Sequence, residues 1–96
     1  PYYDGAMLDV GYNYLIPSLY DGIVVYIGEK DNYGNVVIIE NEESINVWYG
    51  NVCNVNVSLY DHVNKGDMIG ESCDNYIYLL YNKDNVFLDY DNLEIG

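Results

Sequence analysis

Short apolar runs separated by polar turns dominate the first half of the chain. Residues 23–27 and 35–40 are rich in β-branched side chains, and residues 45–49 follow the second run across a polar turn at residues 41–44. Runs of this length bounded by turn residues are typical of β-strands. The pattern predicts an antiparallel hairpin made of residues 35–40 and 45–49.

The second half continues this pattern. Residues 52–57 alternate Val or Cys with Asn, which is the period of a half-buried strand. A turn at residues 64–67 leads into a strand that begins at Met68. Residues 76–81 are an unbroken apolar and aromatic run, which predicts a central buried strand, and residues 86–88 predict a last short one. No segment of about twelve residues has the helical period of 3.6, so the chain is predicted to be all-β.

The length of 96 residues suits one domain, spanning residues 1–96, with a single core. We expect Gly22 and Gly66 to adopt positive φ at turns between strands, and Val63 and Ile69 to point into the core. Lipoyl and biotinyl carrier domains share such turns. They need a modified Lys at a hairpin tip, and Lys30, Lys65 and Lys83 all lack that sequence setting.

A strong negative charge limits the partners. Sixteen acidic residues against three lysines give a net charge of −13, which repels phosphate backbones and anionic lipid and so excludes nucleic acid through a basic patch. A basic protein partner is favoured, although acidity also serves to keep a surface with 13 tyrosines soluble. Tyr suits half-buried strands and interfaces equally well.

Cysteines and termini add little. Two cysteines do not make a disulfide framework, so we expect Cys53 and Cys73 to be reduced, half-buried thiols, with a bridge as the open alternative. No apolar run reaches the roughly 18 residues of a membrane span. The chain begins at Pro1 without Met, so we expect an excised domain whose targeting signals and anchor lie outside it.

Four segments form a recognisable series, namely residues 21–25, 33–39, 47–51 and 63–70. Their order and spacing resemble the lysostaphin/LytM family of zinc endopeptidases, which cut cell-wall peptide bridges. The resemblance covers roughly residues 5–90 and implies the family's hybrid barrel-sandwich fold.

The family's zinc and catalytic histidines are replaced at each matched position. An H-x-x-x-D motif resembles residues 5–9, where Gly5 stands for the His and Asp9 for the Asp. The His after Tyr-Ala is matched by Asn51. Both His of an H-x-H motif are matched by Tyr76 and Tyr78.

A one-register alternative places Tyr3 at the first His and Met7 at the Asp. Either register loses at least one ligand. A phenol is a poor zinc ligand beside imidazole, and Asn cannot transfer a proton near neutral pH. The resemblance therefore implies a degenerate domain with no catalytic residue, no metal and no cofactor.

The replaced positions carry a structural expectation. Tyr49, Asn51, Tyr76 and Tyr78 are expected to fill the groove floor where the family holds zinc. Binding is then expected on an outer face rich in Tyr and acid.

Other candidate sites are weaker. The single His62 lies beside the turn at residues 64–67 and is predicted to be an exposed loop residue. Two acidic groups lack the spacing of a calcium loop and predict solvated faces. They are Glu40, Glu42 and Glu43, and Asp84, Asp89 and Asp91.

Residues 48–51 and 58–66 look most like the sporulation branch of the family, of the stage IV sporulation FA type. There, degenerate domains on membrane-anchored proteins help hold a signalling complex between the two forespore membranes. The resemblance thus implies an extracytoplasmic, protein-binding pseudoenzyme. Alternatives are a peptidoglycan-binding module, an active endopeptidase, and a repurposed hydrolase that uses Asp9 with other carboxylates.

Overall fold

The computed structural model describes residues 5–83 and 86–88, which contain strands and turns but no helix. Within these residues, no helix has the length and apolarity to cross a membrane. The strands are β1 (Gly5–Asp9), β2 (Leu15–Pro17), β3 (Gly22–Lys30), β4 (Gly34–Glu40), β5 (Ile45–Gly50), β6 (Val52–Cys53), β7 (His62–Val63), β8 (Met68–Ser72), β9 (Tyr76–Lys83) and β10 (Val86–Leu88).

Two antiparallel sheets make up the architecture. A seven-stranded sheet has the order β1-β9-β5-β4-β3-β7, with β10 also paired to β9, and curls into a half-barrel. A three-stranded sheet has the order β2-β8-β6. The all-β prediction is confirmed, and so is the central position of β9, which lies between β1 and β5.

Local turn chemistry fixes the hairpins. At the β4–β5 turn, the Asn41 side-chain oxygen accepts hydrogen bonds from the backbone N–H groups of Glu43 (2.9 Å) and Ile45 (3.0 Å), as Asn commonly does in turns. At the β3–β4 turn, Asn32 and Gly34 take φ values of 74° and 72°, which Gly and Asn tolerate best. The predicted hairpin of residues 35–40 and 45–49 is confirmed.

One face of the large sheet packs against the small sheet to form the core. Buried side chains from both sheets meet there, including Val63 and Ile69 as expected. Alternation along each strand decides which residues face inward. The fully or nearly fully buried members from the large sheet are Val24, Val37, Ile39, Val47, Tyr49, Val63, Ile77, Leu79 and Tyr81, and those from the small sheet are Ile16, Val52 and Ile69.

The predicted strand at residues 52–57 is wrong in its length. β6 ends at Cys53 because Asn54 takes a positive φ of 49°, which turns the chain out of the sheet. Val55 and Val57 still pack against the core. The alternation of apolar residues therefore reflects which side chains are partly buried, and it does not indicate strand pairing. The strands β1, β2 and β7 were not predicted, since each is short or polar in sequence.

The expectation of two reduced cysteines is also wrong. Cys53 and Cys73 form a disulfide with a Cα–Cα distance of 5.0 Å. The antiparallel pairing of β6 with β8 places Val52 opposite Ser72 and Cys53 opposite Glu71, so Cys53 and Cys73 flank the Val52–Ser72 pair diagonally. A sequence separation of 20 hid this proximity.

Candidate functional site

The strand pair β1 and β9 brings four of the predicted positions onto one face of the large sheet. In the antiparallel register, Asp9 lies opposite Tyr76 and Met7 lies opposite Tyr78. Gly5 lies two residues before Met7 on β1 and so shares its face. Directly opposed residues project from the same face. Since Ile77 and Leu79 point into the core, Tyr76 and Tyr78 point away from it, and Asp9 is exposed beside them.

Asn51 joins three chain segments at the edge of this cluster. Its backbone N–H donates to the Tyr33 carbonyl (2.8 Å), and its carbonyl accepts from the Cys73 N–H (3.1 Å). Its side-chain amide donates to the Tyr76 carbonyl (3.1 Å) and to the Asp74 carboxylate (3.3 Å). The residue holds a φ of 63°, a conformation in which Asn is enriched. Asn51 thus fixes the geometry around β9.

Four neighbouring rings, here called the aromatic row, run across the same face in the order Tyr76, Tyr78, Tyr33 and Trp48. Successive ring centroids are 5.5, 5.4 and 6.1 Å apart, and each pair meets edge to face. Such geometry is favourable for aromatic pairs. All four side chains are half-buried, so the row is part of the fold and also part of the surface.

The row covers a second, smaller apolar layer. The register places Tyr26, Ile38, Trp48 and Leu80 side by side across β3, β4, β5 and β9. Ile38 and Leu80 are buried, yet neither belongs to the cluster between the sheets. The rings on this face therefore shield apolar side chains that would otherwise lie open to water.

Gly50 lets two rings of the row approach. A Cβ at this position would lie 3.0 Å from the Tyr33 carbonyl oxygen and 3.0 Å from the Tyr78 Cβ. Such contacts are tighter than is usual for a Cβ atom, so a side chain at this position would force its neighbours to shift. The absence of a side chain at Gly50 allows the β3–β4 turn to fold over the end of β5.

Lys30 places its ammonium group on this aromatic face. The Nζ atom lies 4.4 Å from the centroid of Tyr26 and 5.0 Å from that of Trp48. Both distances are within the range of a cation–π interaction.

Tyr49 does not belong to the groove floor, where the sequence placed it. It lies on the core face, with about 1% of its surface exposed, because its neighbours Trp48 and Gly50 take the opposite face in the strand alternation. Its hydroxyl accepts a hydrogen bond from the Leu19 N–H (2.9 Å). Burial raises the pKa of Tyr49 to about 12, and the hydrogen bond from Leu19 offsets part of this.

The donor set at the predicted positions does not fit zinc. Zinc sites in proteins use thiolates, imidazoles and carboxylates, with three protein ligands in catalytic centres. Asp9 supplies one carboxylate, Gly5 supplies no side-chain donor, and Tyr76 and Tyr78 supply phenols. Among residues 5–83 and 86–88, no three His, Cys, Asp or Glu side chains converge. The alternative position Tyr3 lies outside the described residues.

His62 lies apart from the positions matched to the zinc site. It is exposed on β7, opposite Ile23. It borders a surface cleft of about 320 Å³ together with Asp21, Glu40 and Glu42. The second acidic group, Asp84, Asp89 and Asp91, lies outside the described residues.

Sequence reasoning missed Tyr33, Trp48 and Lys30. For Trp48 a signal was present, because strict alternation in β5 opposes it to the buried Val47 and Tyr49. Tyr33 gave no such signal, since its position depends on how the β3–β4 turn folds over Gly50.

Comparisons with known proteins agree with this architecture. The family model described as Peptidase family M23 matches residues 2–82. No curated protein matches the chain.

Several solved structures have folds similar to that of this chain. A mutant catalytic domain of the prophage-encoded M23 protein EnpA from Enterococcus faecalis has a TM-score of 0.83 at 18% identity, covering 96% of this chain and 78% of that one. The catalytic domain of lysostaphin from Staphylococcus simulans has a TM-score of 0.75 at 18% identity, covering 83% and 66%. Csd3 from Helicobacter pylori has a TM-score of 0.82 at 24% identity, covering 91% of this chain and 25% of that one. At these identities the similarity shows a shared fold.

Proposed function

Because this chain belongs to peptidase family M23, we propose that it is a non-catalytic member of that family, which works by binding another protein. The observation that carries the proposal is the replacement of the resembled histidine positions by Asn51, Tyr76 and Tyr78. Each of these residues is engaged in the packing or hydrogen bonding of the sheet face described above.

The chemistry of these residues supports the absence of peptidase activity. Family members of the zinc type use the metal to activate water and to polarise the scissile carbonyl. Asp9 is the one carboxylate among the five matched positions, and the amide of Asn51 donates to Tyr76 and Asp74. An amide neither accepts nor releases a proton near neutral pH, so the site has no general base where the family has its His.

We further propose that the domain scaffolds or regulates a sporulation membrane complex, in the cell envelope or between the forespore membranes. The support is the resemblance of residues 48–51 and 58–66 to the sporulation branch, with an anchoring segment supplied outside this chain. The Cys53–Cys73 disulfide is consistent with an oxidising, extracytoplasmic compartment. The net charge of −13 favours a basic protein partner.

A second candidate is a peptidoglycan-binding module. The half-buried rings of the aromatic row favour it, because an aromatic surface offers large apolar area to a flat ligand. Sedimentation with purified cell wall separates the two candidates: a domain that binds protein partners stays in the supernatant, and a wall-binding module enters the pellet.

The proposal is tested by incubating the purified domain with cell wall and added zinc, with lysostaphin as the positive control. We expect no release of peptide fragments by the domain under conditions in which lysostaphin releases them. Release that is abolished both by heat treatment of the domain and by Asp9→Asn would overturn the proposal. An active result that survives Asp9→Asn would indicate a contaminating enzyme instead.

A further inference from the structure

We propose that the aromatic row is the docking site for an extended, basic segment of the partner protein, whose Lys or Arg side chains lie on the rings. This inference rests on the proposed binding function and names where and by what chemistry the partner is held. It replaces the expectation that these residues only plug a groove, since the rings are half-buried and keep part of their surface open.

The geometry of the row suits an extended chain. Its four rings follow one another at 5.4 to 6.1 Å, and alternate residues of an extended peptide are separated by about 7 Å on one face. Neighbouring ring planes are close to perpendicular, with interplanar angles of 76° to 84°, so successive rings are turned differently along the row. The faces carry the negative part of the ring quadrupole, to which a cation is drawn.

Lys30 shows that this face accepts a cation. Its ammonium group lies over both Tyr26 and Trp48, at the end of the row opposite Tyr76. Lys30 therefore acts as an internal occupant of one cation position. An incoming Lys or Arg at that end has to replace Lys30 or lie beside its positive charge.

Acidic groups at the other end complete the complementarity. Asp9 lies opposite Tyr76 in the strand register, and Asp74 is held beside it by the amide of Asn51. Both carboxylates are exposed. A basic side chain that reaches Tyr76 would meet these charges, and the overall charge of −13 would steer it there. A neutral glycan would gain nothing from either feature.

Binding of a labelled peptide of alternating Arg and Gly, about ten residues long, tests the proposal by fluorescence anisotropy. The matched probe replaces each Arg by citrulline, which keeps the shape and removes the charge. We expect the citrulline peptide to bind at least about tenfold more weakly, and the Arg peptide to lose affinity as salt rises to about 0.5 M.

Variants separate docking on the row from general attraction to an acidic protein. Tyr76→Ala is expected to weaken the Arg peptide about fivefold. The control Tyr60→Asn removes a ring that lies outside the row and is 73% exposed, and Asn tolerates the positive φ of 72° at that position. This control is expected to leave the affinity for the Arg peptide unchanged within experimental error.

Lys30→Met gives a readout that loss of folding cannot mimic. It keeps the apolar stem and removes the competing charge, so Arg-peptide affinity is expected to rise about twofold to fivefold. Equal binding by all three variants, or tighter binding of the citrulline peptide, would overturn the inference. A positive wall-digestion assay would instead overturn the proposed function, so the two failures are distinguishable.

Discussion

The large sheet has two apolar faces that are built differently. One face packs against the small sheet through aliphatic side chains such as Val37, Ile39 and Leu79, which are almost wholly buried. The other carries the aromatic row, whose rings cover Ile38 and Leu80 while remaining only partly buried themselves. Aliphatic packing between two sheets creates a sealed core, whereas rings lying over one sheet create a surface that is ordered and still accessible.

This difference assigns separate tasks to the two faces. Burial between the sheets removes apolar area from water most completely and so contributes most to folding. The four rings of the aromatic row lie outside that core, and they present rigid contact area that loses little conformational entropy on binding. The two faces should therefore respond differently to substitution.

The largest effect is expected from truncating the sealed face. Leu79→Ala should lower the free energy of unfolding by about 3 to 4 kcal/mol, through lost burial and the cavity left behind. Met7→Ala is the matched control, because Met7 is 61% exposed on the neighbouring strand, and it should cost less than about 0.5 kcal/mol. Urea denaturation measures both. Equal losses would show that the two faces do not differ in this way.

Removing the disulfide is expected to have the next largest effect. The double variant Cys53→Ser with Cys73→Ser frees a loop closed across 20 residues and should cost about 3 kcal/mol. Because the Cys73 N–H donates to the Asn51 carbonyl, the loosening should appear first beside the aromatic row. Hydrogen exchange that increases in β3 and β4 before Asn51 would contradict this order.

Tyr49→Phe tests a polar contact inside the sealed face. It leaves the Leu19 N–H without its acceptor and should cost about 2 kcal/mol. In the unfolded chain Tyr ionises near pH 10, whereas its folded pKa is raised to about 12. The stability that neutral Tyr49 contributes to the folded chain is therefore complete below about pH 10 and is lost as pH rises towards about 12.

The alkaline part of that prediction is read as a difference between two proteins. Stability should fall more steeply between about pH 10 and 12 in the parent than in Tyr49→Phe. Parallel pH profiles would show that Tyr49 is not the residue responsible.

Asn51 distinguishes side-chain hydrogen bonds from backbone conformation. Asn51→Gly keeps the φ of 63° accessible but removes the bonds to Tyr76 and Asp74, and should cost about 1 kcal/mol. Asn51→Ala adds a left-handed backbone penalty of about 1 kcal/mol. Thermal denaturation of both variants measures the two parts. If Ala is tolerated as well as Gly, the backbone argument fails.

Strand positions were predictable where the apolar pattern was continuous. Residues 35–40, 45–49 and 76–81 each carry enough β-branched or aromatic side chains to specify a strand, and turn residues fix the connection. The irregular path after Cys53 was not predictable, because the same alternation of Val and Asn is produced by a chain that leaves the sheet and still packs on the core.

The site was predictable in part. The resemblance singled out Asp9, Tyr76 and Tyr78, and the register of β1 and β9 places Asp9 opposite Tyr76. Tyr49 was misplaced because proximity in sequence to Asn51 was taken as proximity in the groove, although strand alternation turns it inward. The disulfide and the position of Tyr33 depend on tertiary pairing between distant segments, which no local pattern encodes.

Zinc binding by the purified domain tests the central claim most directly. Isothermal titration after chelator treatment should give no stoichiometric binding in the parent chain. A triple variant with Gly5→His, Tyr76→His and Tyr78→His, which rebuilds the resembled motifs around Asp9, serves as the control and should gain measurable affinity. One zinc per parent chain, with binding abolished by Asp9→Asn, would contradict the account.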